Sequence, residues 1–183
     1  MPKVVAQKED WIELGYQLFT QSGERGIVVE AMSKVLKCNK SSFYWHFKTK
    51  KDFMNCLVKF WIDRDTQRIM EQVKKAATAQ EQLDCLLEIT FKKDPNLDFV
   101  FYLKRYAQSN STLQHLIDQI DADRIQFTAT LFHNLGSPKK EAHRKAVCFY
   151  KYLIGYHEMI RYKEQGKDYI EEVKQELDLL LKF

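Results

Sequence analysis

Proline and glycine are scarce in this chain, three and six respectively among 183 residues. So little punctuation leaves long stretches free to be helical, and no alternating apolar–polar run is long enough to demand a strand. The four cysteines, Cys38, Cys56, Cys85 and Cys148, lie far apart with no CxxC pair. That argues against a disulfide framework and against a thiolate zinc site, and leaves reduced thiols that act as small core residues. No apolar run approaches the roughly 18 residues needed to span a bilayer. The start, MPKVVAQKEDW, has no apolar core of a secretion signal, so a soluble, cytoplasmic protein without membrane contact is expected. Catalytic spacings are missing as well. The histidines His46, His115, His133, His143 and His157 form no HExxH, and there is no GxGxxG or GxxxxGK phosphate loop. His157-Glu158 beside Tyr156 carries acid–base groups, but nothing in the sequence converges on them. No enzyme activity, catalytic residue, metal or cofactor is expected.

One segment is also without negative charge. From Lys34 to Lys51, KVLKCNKSSFYWHFKTKK, there are six lysines and no Asp or Glu, with Phe43, Tyr44, Trp45, His46 and Phe47 in immediate succession. Positive charge, small hydroxyl residues and aromatic anchors in so short a stretch fit a surface that lies against nucleic acid. The net charge of +4 is modest but unevenly spread: residues 1–50 carry eight Lys/Arg against five acids, and residues 168–183 two lysines against five acids. A basic front and an acidic tail point to different partners.

The helices can be placed from apolar spacing and from their ends. Trp11, Ile12, Leu14, Leu18 and Phe19 repeat at helical spacing from Lys8 until Ser22-Gly23 stops them. Val28, Ala31, Met32, Val35 and Leu36 give a short second helix. Asn39 caps a third, Lys40 to Phe47, because its side chain can accept a bond from an orphaned amide near Ser41 or Ser42. A longer helix follows from Lys50 to about Lys75, then Gln80 to Lys93, then one opened by Asp94-Pro95 through Tyr106. Leu113 to Leu135, ended by Gly136, precedes a helix from Ser137-Pro138 to about Tyr162 and a last one from Asp168 to Lys182. The expectation is an all-α fold of about nine helices, with a three-helix helix-turn-helix module over residues 1–50 and a helical domain over 51–183. In such a module the third helix enters the major groove and the others buttress it.

The motif Met32-Ser33-Lys34-Val35-Leu36-Lys37-Cys38-Asn39-Lys40-Ser41-Ser42-Phe43-Tyr44-Trp45-His46-Phe47, followed by Lys48-Thr49-Lys50-Lys51-Asp52-Phe53, resembles the DNA-binding segment of the tetracycline-repressor-like (TetR) transcriptional regulators. FYWHF and TKKDF carry most of the likeness, which covers about a quarter of the chain; the remainder matches in length and helical layout. The resemblance implies that Lys40, Ser41 and Ser42 face bases, that Tyr44 and His46 contact the DNA backbone or hold the helix, with Trp45 beside them, and that Lys50 lies at the start of the fourth helix near a phosphate. Two positions depart from the pattern. Ile27-Val28 stands where the family has a capping, phosphate-reaching Thr, and Lys37 stands where it has a turn glycine.

The family reading extends to the rest of the chain. It implies a homodimer built from the last two helices of each subunit, here with Phe149, Leu153, His157, Ile160, Val173, Leu177 and Leu180 as interface candidates, bound to a double-stranded, palindromic operator. Phe91, Tyr102, Tyr106, Phe127 and Tyr150 are candidates for a pocket that takes an unidentified small-molecule effector, whose binding releases a repressor from DNA. The alternative is a helical module that binds DNA nonspecifically, or binds another protein, without effector control. Phosphate contacts alone carry no sequence preference, so site selection separates the two.

Overall fold

The computed structural model describes residues 6–93 and 98–181. Every regular element among the described residues is helical. The chain divides into two compact units, residues 1–64 with 95–114, and residues 65–94 with 115–183. Packing therefore groups the chain differently from a division after residue 50, and the reason lies in the aromatic residues that the later helices contribute.

Unit one begins with α1 (Lys8–Ser22) and a 3₁₀ turn (Gly23–Gly26), then α2 (Val29–Val35), α3 (Ser41–Phe47) and α4 (Lys50–Ile62). The amphipathic spacing of α1 buries Trp11, Tyr16 and Phe19. Phe43 of α3 meets Trp11 edge-on at 5.2 Å and Phe53 of α4 at 5.0 Å, so three helices share one aromatic cluster. Gly15 makes this closeness possible, since a Cβ there would lie 2.3 Å from Phe53 Cζ. The second cluster is supplied by α7 (Asp98–Tyr106). Phe99 stacks on Tyr16 at 4.6 Å and lies 4.9 Å from Phe19, with Trp61 of α4 at 6.0 Å. These rings are what draw α4 and α7 into the same unit as the front helices. The expected Asp94-Pro95 start of α7 lies outside the described residues.

The expected fourth helix is present as α4 and α5 (Arg68–Val73), joined by a π turn at Asp63–Gln67. Unit two contains α5, α6 (Ala79–Phe91), most of α8 (Ser111–Asn134), α9 (Lys139–Ile160) and α10 (Tyr169–Leu181). A capping box opens α6: the Glu81 N–H donates to Thr78 Oγ1 (3.2 Å) and the Thr78 N–H to Glu81 Oε2 (3.0 Å). The core of this unit is Leu83, Leu87 and Phe91 of α6, Leu131 and Phe132 of α8, Ala146 and Phe149 of α9, and Val173 and Leu177 of α10.

That core overturns part of the expected dimer interface. Phe149, Val173 and Leu177 are each 2 % exposed or less inside a single chain. His157 is also engaged internally, with its Nε2–H donating to the Thr90 carbonyl at 2.6 Å. A stripe on a helix reads the same whether it faces its own neighbours or another chain, and here α6 takes it. Leu180 stays exposed, while Leu153 and Ile160 are half-buried. No helix among the described residues is long and apolar enough to cross a membrane.

Candidate nucleic-acid interface

The helix-turn-helix is built by a turn with an unusual residue in it. After α2 the Cys38 N–H donates to the Ser33 carbonyl (3.0 Å) and the Lys37 N–H to the Lys34 carbonyl (3.2 Å), the paired bonds of a Schellman helix stop. Lys37 occupies the left-handed position of that stop at φ 51°. The turn geometry is therefore kept although the glycine is not. Asn39 then does what its position suggested: its side-chain Oδ1 accepts from the Ser41 N–H at 3.0 Å and opens α3.

Around α3 the side chains sort by face. Phe43 and Phe47, four apart, are buried in the aromatic cluster. Ser42 and His46, also four apart, form one flank and converge on a single acceptor: the Ser42 hydroxyl donates to the Ala6 carbonyl (3.3 Å) and His46 Nε2–H to the same oxygen (3.0 Å). The Cys38 thiol also meets the Ala6 backbone, and burial pushes its pKa up. Ala6 is buried, so this residue, two before α1, is tied down onto the third helix. The face left open is Lys40, Ser41, Tyr44, Trp45 and Lys48, all exposed. Trp45 is 78 % and Tyr44 52 % exposed, a large apolar area for a lysine-rich surface to give to water.

The link to α4 is tight. Lys48 has φ 54° and ψ −51°, and the Thr49 N–H donates back to the Phe47 carbonyl, making a γ-turn that is strained for any residue with a side chain. Thr49 Oγ1 then caps α4 by accepting from the Asp52 N–H at 3.1 Å. Lys50, placed by resemblance near a phosphate, is half-exposed in the first turn of α4, with its Nζ 3.5 Å from Glu24. That pair is open to solvent and of little energetic weight, so it does not withhold the ammonium from a stronger anion.

The structure thus brings together Lys40, Ser41, Tyr44, Trp45 and Lys50 on open surface of one unit, and turns Ser42 and His46 inward. The same open surface carries Lys48, which the sequence reading did not place in the interface, and Val28 and Val35 are 50 % and 62 % exposed. The signal for Lys48 was present in its spacing, because Ser41, Tyr44 and Lys48 follow one another at three and then four residues, the period of a single helix face.

The expected effector pocket does not assemble within either unit. Tyr102 and Tyr106 belong to unit one, where a Cβ on Gly23 would touch the Tyr102 ring and Tyr106 meets Phe19 edge-on. Burial raises the Tyr106 pKa. Phe91, Phe127 and Tyr150 belong to unit two. There Phe91 is enclosed by Phe149, Tyr152, Tyr156 and His157. Lys74 lies over the Phe127 ring. Tyr150 donates its hydroxyl to Asp121 at 2.7 Å, and burial, chiefly, pushes its pKa up to about 12. The residues were chosen for being aromatic, and aromaticity does not say which helices pair; α7 packs on α1.

Among the described residues no cluster of His, Cys, Asp or Glu is arranged to hold a metal ion. Neither a protein-family profile nor a curated protein matches the sequence. Solved structures do match. A TetR-like transcriptional regulator from Rhodococcus sp. RHA1 superposes with a TM-score of 0.66 at 16 % identity, over 98 % of this chain and 96 % of that one. Another transcriptional regulator from Rhodococcus sp. Rha1 gives 0.77 at 14 % identity, over 97 % and 95 %. A protein from Saccharomonospora viridis, described as a transcriptional regulator and solved in complex with choline, gives 0.78 at 15 % identity, over 95 % and 94 %.

Proposed function

We propose that this chain, which has the fold of the TetR-like transcriptional regulators, is a sequence-specific DNA-binding regulator that acts as a homodimer. The observation that carries the reading is the sorting of α3. Its inner face is locked by Phe43 and Phe47 and one flank by the Ala6 carbonyl, and what remains is a rigid open face of lysine, serine, tyrosine and tryptophan. A helix held in this way can enter a major groove without reorganising. On it, Ser41 and Trp45 meet base edges, Tyr44 and Lys48 reach sugar and phosphate, and Lys50 takes a phosphate at the start of α4.

The dimer is assigned to the outer faces of α9 and α10. Ile154, Met159, Leu179 and Leu180 are 48 %, 71 %, 82 % and 58 % exposed. Four large apolar side chains on two neighbouring helices are a liability unless another chain covers them. A two-fold axis through that face would give two recognition helices, and thus an inverted-repeat operator. Repression relieved by a small molecule is the regulatory mode we assign, supported by the choline complex of the Saccharomonospora viridis protein as an example of a small ligand on this fold.

The test is selection of binding sites from a random duplex pool by the purified chain at about 150 mM salt, where phosphate contacts alone hold weakly. Enrichment of an inverted repeat supports the reading. Uniform recovery of all sequences favours the nonspecific module and refutes it.

A further inference from the structure

We infer that the cleft between α8 and α9 binds a small polyphosphate-bearing ligand. The cleft is open to solvent, offers about 700 Å³ and is lined by Ala129, His133, Lys139, Lys140, His143 and Arg144, with no carboxylate in its wall. That volume is within the range of small-molecule sites and suits a nucleotide-sized ligand. Among the described residues, Lys139, Lys140 and Arg144 have no ion-pair partner. The acid nearest in sequence, Glu141, is paired instead with Lys145 at 3.5 Å. Three permanent cations therefore share one concavity without a counter-charge, an arrangement whose mutual repulsion a bound polyanion relieves. His133 has a fixed ring: its Nδ1–H donates to the Ser137 carbonyl at 2.9 Å.

Three positive charges in a depression select charge density rather than apolar surface, which a triphosphate supplies at neutral pH. A nucleotide and an inorganic polyphosphate present the same group, and the remainder of the cleft decides between them. The cleft lies at the opposite end of α9 from Ile154 and Met159, so the proposal stands apart from the assigned dimer face.

The experiment is calorimetric titration of the full chain with sodium tripolyphosphate and with ATP, against sodium sulfate at matched ionic strength. One site per chain with micromolar affinity for tripolyphosphate is expected. The double variant K140Q/R144Q should weaken it about a hundredfold, taking about tenfold for each lost charged contact, while K151Q on an exposed part of the same helix leaves it unchanged. ATP tighter than tripolyphosphate assigns a nucleotide; equal affinities assign the polyphosphate group alone. All three substituted positions are exposed, and circular dichroism checks that the variants fold. Equal binding by K140Q/R144Q and the unaltered chain, equal binding of sulfate, or displacement of tripolyphosphate by random-sequence duplex DNA would overturn the proposal.

Discussion

Replacing Lys37 with glycine should stabilise this protein while weakening its hold on DNA. Among the described residues the same helix stop occurs twice. After α2, Cys38 N to Ser33 O is 3.0 Å and Lys37 N to Lys34 O is 3.2 Å; after α8, Ser137 N to Phe132 O is 3.1 Å and Gly136 N to His133 O is 2.9 Å. The left-handed residue is Lys37 at φ 51° in the first and Gly136 at φ 101° in the second. A residue with a Cβ in that region costs about 1–2 kcal/mol. Glycine removes the cost but makes the unfolded chain freer, which returns about 0.5–1 kcal/mol. The net gain for K37G is about 0.5–1 kcal/mol, or a rise in Tm of about 1–4 °C for a chain of this size. G136A should shift Tm the other way by at least as much, since nothing lies within 4 Å of a Cβ there and conformation alone decides.

Calorimetric or fluorescence melting at fixed protein concentration reads both changes, with K37A as the control that removes charge and keeps the strain. The strain argument fails if K37G melts below the unaltered chain, or if K37A gains as much as K37G. The same variants separate stability from function. Lys37 is exposed on the turn beside α3, and if its charge meets a phosphate, K37G and K37A lose DNA affinity alike. Each should reduce the slope of affinity against salt by about one.

On α3, Trp45→Ala should cost about 1–3 kcal/mol of DNA binding and alter the preferred site, whereas Ser42→Ala should leave site preference intact, because that hydroxyl is occupied by Ala6; selected-site sequencing of both variants decides. Met159→Glu with Leu179→Glu should convert the dimer to monomers in light scattering at micromolar concentration without lowering the monomer's helix content. A monomeric state of the unaltered chain would refute the assigned face. In acid, Asp84 is held below the usual carboxylate range, first by its bond to Lys174 at 2.8 Å. A depressed carboxyl stabilises the fold above its unfolded pKa and loses that contribution as pH falls through and below the ordinary range at about 4. Asp84→Asn should flatten acid denaturation in that window by no more than about 1 kcal/mol, as the pair is partly exposed.

The helices were legible because their ends are chemically marked. Ser22-Gly23, Asn39, Gly136 and Ser137-Pro138 are stops and starts with a mechanism, and the corresponding elements end or begin beside them. The direction in which a stripe points was not legible. Val173, Leu177 and Leu180 of α10 follow one another at helical spacing, as Phe149 and Leu153 of α9 do, and only the packing of the neighbouring helices decides that Phe149, Val173 and Leu177 are interior and Leu180 exposed. Helix α3 shows both cases within seven residues. Phe43 and Phe47 had to be inside, since their spacing and apolar character allow nothing else. Ser42 was assigned to bases because it is small and polar, and the acceptor that claims it lies 36 residues earlier in the sequence.

The π turn at Asp63–Gln67 falls where the chain passes from one unit to the other, and its polar groups are answered from outside the helix. Arg64, the last residue of unit one's front stretch, lies over the Tyr16 ring at 5.0 Å. Asp65 and Thr66, in unit two, are held by Arg124: its Nη2–H donates to the Asp65 carbonyl (3.1 Å) and to Thr66 Oγ1 (2.6 Å), and Nε–H to Thr66 Oγ1 (3.1 Å). One guanidinium thus satisfies a carbonyl and a buried hydroxyl that a regular helix would have served itself. The Tyr150–Asp121 bond lies one turn away along α8, so a change in the surroundings of Tyr150 has a short polar route to this segment. Only a segment with two satisfied arrangements can switch, and the second open to a π turn is a ladder closed to α-helical spacing, which loss of the Arg124 contacts would favour if it is within reach. Arg124→Ala should therefore raise the hydrogen-exchange protection of the amides of residues 63–67 while the helix content of the chain stays constant. Lower protection there would mean that the segment frays when its guanidinium is removed, and that it has no second arrangement to adopt.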